Sequence, residues 1–277
     1  MDGRWDFFFR EVGVGCFKPG GASVANDVLH IVKHILFGLN NLLDTRSPSM
    51  ADACYFCGNT ATSTEHVPPA CLFPEKKDLD GDTDYRKNLF TVPSCDEHNS
   101  RKSTDDEYIQ LILVHGYFNN KAGHNHFNSK IVRAMTRRPA LLAALYNNAD
   151  QVTVDGEPTV AVTVDRERFN RALERVVQGL CVKFFAERWS KELEIHTPVL
   201  LAMDEPDADK VNSLVSGLSK SIIGCLDGVE RRGDNPDIFW CQLLKDKAKD
   251  RLLCRMVFYG GFDVFAVSDP RLRGERV

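Results

Sequence analysis

Four side chains in this sequence have the types and spacing of a metal cage. Cys54-Tyr-Phe-Cys57-Gly58 sets two thiols two residues apart, and Gly58 permits the tight turn that aims both sulfurs at one ion. A second half-site follows at Cys95-Asp-Glu-His98. Together they make a Cys3His set, the donor chemistry of tetrahedral zinc. A structural zinc contributes roughly 10 to 16 kcal/mol in a small module, enough to hold a loop-rich segment with little core of its own. Between and beside the half-sites stand Glu65-His66 and Asn99, a carboxylate, an imidazole and an amide. A neutral imidazole can take a proton from an attacking water. A hard ion such as Mg2+ or Mn2+ needs few protein oxygens, and Glu65 and Asn99 would suffice to anchor it while water and phosphate complete its shell. That set suits hydrolysis of a phosphodiester. The cage alone does not exclude a zinc staple that does no catalysis, and against the base stands the reading of His66 as a structural histidine or one that only orients a metal ligand.

The elements that must position these residues are short. Asn88-Leu89-Phe90-Thr91-Val92 has the residue types of a strand ending at Pro93, so Asn88 is expected on a strand. Thr104 followed by Glu107 forms a capping box ahead of Tyr108, Ile109, Leu111, Ile112 and Leu113, predicting a helix from about Thr104 to Tyr117 just after the second half-site.

From Cys54 to about Glu107 the sequence resembles the HNH, or ββα-metal, endonuclease superfamily, in particular its treble-clef branch with an endonuclease VII-like Cys-x2-Cys/Glu-His/Asn arrangement. The resemblance rests on Cys54-x-x-Cys57, Glu65-His66-Val67-Pro68, Asn88-Leu89 and Cys95-x-x-His98-Asn99-x-x-Lys102-Ser103. It implies a metal-dependent nuclease acting on nucleic acid, DNA first. His66 would be the general base, Glu65 a ligand of the catalytic Mg2+ or Mn2+, Asn88 the residue that orients loop and base, and Asn99 the replacement for the family's last histidine. It also implies structural Zn2+ on Cys54, Cys57, Cys95 and His98, a non-catalytic zinc-binding interaction module of the same fold being the competing reading. Two features depart from the pattern. His98 stands where a fourth cysteine is more usual, and Asp78, Asp80, Asp82 and Asp84 place acid between the half-sites, where it would repel a phosphate backbone. Gly81 is wrongly placed for that acidic loop to be an EF-hand.

Stepping outward, 277 residues suffice for two modest cores. The expected organisation is α+β: residues 1–49 as an extension that is dispensable, with Met50 an alternative start; 50–127 as the zinc-stapled module; and 128–277 as a mixed α+β domain that positions substrate or binds a partner, a second copy included. An amphipathic helix is predicted at Val28–Leu43 and a short one at Pro139–Leu145. A hairpin is predicted around Asp155-Gly156, joining Val152–Val154 to Val160–Val164, then a long helix capped by Asp165 in which Phe169, Leu173, Val176, Val177, Leu180, Phe184 and Phe185 recur at helical spacing. A strand at Pro198–Met203, a helix from Asp207 to Cys225 and strands at Asp237–Leu244, Leu252–Tyr259 and Phe262–Val267 complete the reading.

Nine cysteines without a secretory pattern point to reduced thiols in the cytoplasm, and Cys181, Cys225, Cys241 and Cys254, within apolar stretches, read as small buried hydrophobes. No run of 18 apolar residues suggests a membrane span. The net charge of −4 gives no whole-molecule attraction to phosphate, leaving Lys121, Lys130, Arg133, Arg137 and Arg138 as a local basic strip or a solvated helix face. His124 and His126 read as exposed loop residues and Cys71 as packed. His30, His34, His115 and His196 join no constellation.

Overall fold

The computed structural model describes residues 7–11, 52–79, 81–100, 103–132, 149–154, 157–201, 208–246 and 250–268. The helices predicted at Val28–Leu43 and Pro139–Leu145 lie outside these, as do Arg133, Arg137 and Arg138 of the basic strip.

The segment expected to form the zinc module contains a two-stranded hairpin, β2 (Ser63–His66) and β3 (Thr91–Ser94), antiparallel with Glu65 opposite Val92 and His66 opposite Thr91. Helix α1 (Asp96–Ser100) follows at once and α2 (Ser103–Val114) after it, where the capping-box pattern lies. Asn88 is not on the strand: its φ of 56° is left-handed, so the chain turns there and β3 starts three residues later. Asparagine tolerates that conformation because its short amide bonds locally. Next comes α3 (Lys121–His126), capped by Asn120, whose side chain accepts from the Gly123 N–H at 3.0 Å.

The predicted hairpin is present as β4 (Asp150–Val154) and β5 (Glu157–Val164). They join β1 (Phe7–Glu11) and β7 (Leu200–Leu201) in a sheet of order β4-β5-β1-β7, with β1 parallel to both its neighbours. Residues 1–49 thus contribute a strand between β5 and β7. Helix α4 (Arg166–Phe185) begins at Asp165, whose carboxylate accepts from the Arg168 N–H, and buries Phe169, Ala172, Leu173, Val176, Val177 and Leu180 at helical spacing.

The second sheet has the order β6-β11-β10-β9-β8, from Glu194–His196, Phe262–Ser268, Arg251–Phe258, Phe239–Asp246 and Arg232–Asn235, antiparallel throughout. Strands β9 and β10 are buried on both faces, which is why they read as near-continuous apolar runs. One face belongs to the same core as α4. Against the other, α5 (Ala208–Cys225) sets Leu218, Ile222 and Cys225 on Leu244, Leu253, Phe265 and Val267.

The main core crosses the expected boundary at residue 127. Tyr55, Val67, Leu72, Ile109, Ile112 and Leu113 form one cluster with Phe169, Val176, Leu180, Phe239, Met256, Phe258 and Phe262. Backbone and side-chain bonds run the same way: Asn120 N–H to the Tyr259 carbonyl at 2.7 Å, Asn235 Nδ2 to the Lys87 carbonyl at 2.9 Å, and Tyr259 Oη to the Leu72 carbonyl at 2.6 Å.

The expected exposed loop at His124 and His126 is instead the helix α3, and His126 is fully buried. Its Nδ1 lies 3.1 Å from Tyr259 Oη and its Nε2 3.5 Å from Gln110 Nε2. Since Tyr259 Oη donates to Leu72, His126 Nδ1–H donates to Tyr259, a neutral tautomer assigned from the network. A Cβ on Gly123 would lie 2.9 Å from that of Tyr259, so glycine lets the helix approach. His115 is buried too, its Nδ1 bonded to the Leu111 carbonyl and its ring 4.5 Å from that of Phe127.

Candidate metal centre and its neighbours

The first half-site is a knuckle closed by its own backbone. Gly58 N–H donates to the Cys54 carbonyl at 2.9 Å and Cys54 N–H to the Asn59 carbonyl at 2.7 Å, with Gly58 at φ 80°. A Cβ there would sit 2.2 Å from Arg188 Nη1, and Arg188 Nη2 donates to the Phe56 carbonyl at 2.7 Å, so a residue beyond α4 grips the turn. Tyr55 N–H donates to the Pro93 carbonyl at 2.9 Å, which binds the knuckle to β3 and brings it up to the second half-site. There the chain leaves β3 at Cys95, and the N–H groups of His98 and Asn99 both donate to the Cys95 carbonyl, the first turn of α1.

These two turns bring Cys54 Sγ, Cys57 Sγ, Cys95 Sγ and a His98 ring nitrogen within 4.8 Å of one another. Cys57 Sγ lies 3.8 Å from Cys95 Sγ, Cys54 Sγ 4.0 Å from His98 Nδ1, and Cys95 Sγ 3.1 Å from the same nitrogen. Zinc bonds of about 2.0 to 2.3 Å at tetrahedral angles put neighbouring donor atoms roughly 3.5 to 3.8 Å apart, so the cluster fits one zinc ion. The Phe56 ring covers His98 at 4.6 Å between centroids, and the Arg175 guanidinium stands 5.6 Å from the Phe56 centroid.

Thiol chemistry separates the ligands from the other cysteines. At Cys54 burial favours the neutral thiol, but the backbone N–H groups of Cys57, Cys95 and Phe56 outweigh it and bring the pKa down to about 7. At Cys95 the His98 N–H favours the thiolate, yet burial and the thiols of Cys54 and Cys57 together push it up, a conflict that a cation in the cage would relieve. Burial is the largest cause that drives Cys181 and Cys241 up to about 12 and lifts Cys254 well above the ordinary thiol range, which keeps them packing groups. Cys71 is half-buried, its Sγ 3.5 Å from the Asp106 carbonyl and outside the cage.

The residues expected to carry chemistry are divided by the hairpin. Successive strand residues point to opposite faces. Glu65 points inward: 6% exposed, it accepts from Tyr55 Oη at 3.3 Å on one oxygen and from Ser94 Oγ at 3.4 Å on the other. His66 points outward and is exposed. Asn99 is exposed on α1, its Nδ2 donating to Ser63 Oγ at 3.1 Å. Ser63 Oγ in turn donates to the Ser94 carbonyl at 3.1 Å, so Asn99 and Glu65 are linked through Ser63 and Ser94. His66 lies three residues beyond Ser63, about 10 Å along an extended strand. Asn88, in its turn, lines a pocket together with Pro68, Phe73, Phe90 and Asn235. The acidic loop faces solvent at Asp82 and Asp84, with Lys76 Nζ 3.7 Å from Asp82.

Tyr55 and Ser94 were not singled out from the sequence. The signal was their position: one follows the first cysteine of the cluster and the other precedes the third.

No protein-family model, no curated protein and no solved structure matches this chain. It is a mixed α and β protein with a Cys3His cluster able to hold a metal ion, compatible with a zinc module. Among the described residues, no helix is long and apolar enough to cross a membrane.

Proposed function

We propose that the chain is a metal-dependent endonuclease of the HNH, treble-clef ββα-metal kind, hydrolysing phosphodiester bonds of nucleic acid. One arrangement supports this reading: a hairpin followed directly by a helix and tied to a Cys3His cluster, with exposed His66 at the end of β2 and exposed Asn99 on the helix. His66 is the group that takes a proton from the attacking water, a contribution of typically 10²- to 10⁴-fold. Asn88, in the turn ahead of β3, shapes the loop between the half-sites. A divalent ion, Mg2+ or Mn2+, would offset charge on the scissile phosphate. Asn99 fits such an ion, because its Nδ2 is committed to Ser63 and its Oδ1 is the remaining donor. Glu65 does not fit where it stands, its carboxylate facing the interior under Tyr55 and Ser94.

Nicking of supercoiled plasmid DNA tests the reading. The protein with Mg2+ or Mn2+ is expected to cut, and His66→Ala to lose at least 100-fold in rate while keeping one zinc per chain. Cutting by that variant at the unmodified rate removes His66 from the chemistry. A second reading, a non-catalytic zinc-binding module that contacts protein or nucleic acid, is favoured by the inward carboxylate, and absence of nicking with retained zinc and retained DNA binding would select it.

A further inference from the structure

Glu65 is the one carboxylate of the expected reactive set, and its surroundings give it a different task. Two donors reach it from the two halves of the zinc cage: Tyr55 sits between Cys54 and Cys57, and Ser94 immediately precedes Cys95. Both are buried, at 2% and 0% exposure. Ser94 Oγ also lies 3.3 Å from the Cys95 carbonyl, the same oxygen that receives the first-turn N–H groups of His98 and Asn99. The carboxylate therefore bridges the same two half-sites that an ion in the cage would bridge. Hydrogen bonds to a charged acceptor in a dry place are stronger than those between neutral groups.

We infer that Glu65 is a positioning residue, a carboxylate tie joining the two zinc half-sites and fixing β2 beneath them, and that it is not a ligand of a divalent ion. The tie itself rests only on the zinc cluster and its hydrogen bonds; the exclusion from an ion site rests also on the nuclease reading. It assigns Tyr55 and Ser94 the same task from the other side.

Two substitutions separate tie from ligand. In Glu65→Gln the amide oxygen still accepts from Tyr55 Oη and the amide nitrogen donates to Ser94 Oγ, so the tie survives while the anionic ligand is lost. Glu65→Ala loses both. Zinc release to a chromogenic chelator and Mn2+ affinity by electron paramagnetic resonance are measured on the full chain. Glu65→Gln is expected to release zinc within about two-fold of the unmodified rate and to bind Mn2+ within about two-fold, whereas Glu65→Ala releases zinc about ten-fold faster. Should Glu65→Ala fail to fold, Tyr55→Phe supplies the same loss of one donor with its ring kept, expected at about three-fold faster release. A ten-fold or greater fall in Mn2+ affinity in Glu65→Gln with zinc release unchanged overturns the inference in favour of a ligand. Unchanged zinc release in both Glu65→Ala and Tyr55→Phe overturns the tie. If the unmodified protein neither nicks DNA nor binds Mn2+, the nuclease reading falls, and zinc release still decides the tie.

Discussion

At the scale of single residues, histidine 115 makes the clearest measurable statement. Full burial drives its pKa down from 6.5 to about 4, partly offset by its bond to the Leu111 carbonyl. A depressed folded value means that the unfolded chain binds the extra proton first, so the neutral imidazole's contribution is complete above about pH 6.5 and is lost as pH falls through about 4. The melting temperature is expected to drop between pH 6.5 and pH 4, and His115→Leu to flatten that part of the curve; an unchanged slope in the variant would assign the loss to other groups. Residue chemistry was also where the sequence was most legible. The Cys3His spacing is a local pattern that two turns can satisfy, and the apolar settings of Cys181, Cys241 and Cys254 already marked them as packing groups. The inward carboxylate was not legible, because its donors are distant in sequence and strand parity at Glu65 depends on which hairpin face meets α4. The same holds for His126, whose partners Gln110 and Tyr259 come from separate elements.

At the scale of elements, periodicity and capping carried most of the reading. Helix α4 and strands β9 to β11 lie within a few residues of their expected bounds, because long apolar periodicities leave little choice once a cap such as Asp165 fixes the start. Asn88 shows where that logic stops: an apolar run marks a strand's interior, but a single left-handed residue decides where it begins. Helix α4 also makes a close approach that no periodicity encodes. A Cβ on Gly179 would lie 2.6 Å from Val67 Cγ2, so this glycine is the place where the helix presses on the segment following β2. Gly179→Ala is expected to cost about 1 to 3 kcal/mol through overpacking, against the usual small gain of alanine over glycine in a helix. Urea denaturation measures it, and a stabilised variant would show that Val67 can move aside.

At the scale of the whole molecule, the cage and the core belong to the same folded unit. Arg188 holds the Phe56 carbonyl, Arg175 stands over the Phe56 ring, and the core cluster runs from Tyr55 to Phe262 without a break at residue 127. Removing zinc with a strong chelator is therefore expected to lower the melting temperature of the entire chain in one transition, and to raise amide exchange in α4 as well as in the hairpin. Two separate transitions, with α4 unaffected, would show that the two parts unfold independently.

The shared core also governs what can be borrowed from this protein. A fragment ending at residue 127 would carry all four cage ligands into a new host, yet it would arrive with Val67, Leu72, Ile109 and Ile112 stripped of their cover. Any transplant of the cage must bring a substitute for α4, or redesign that bare surface with polar side chains.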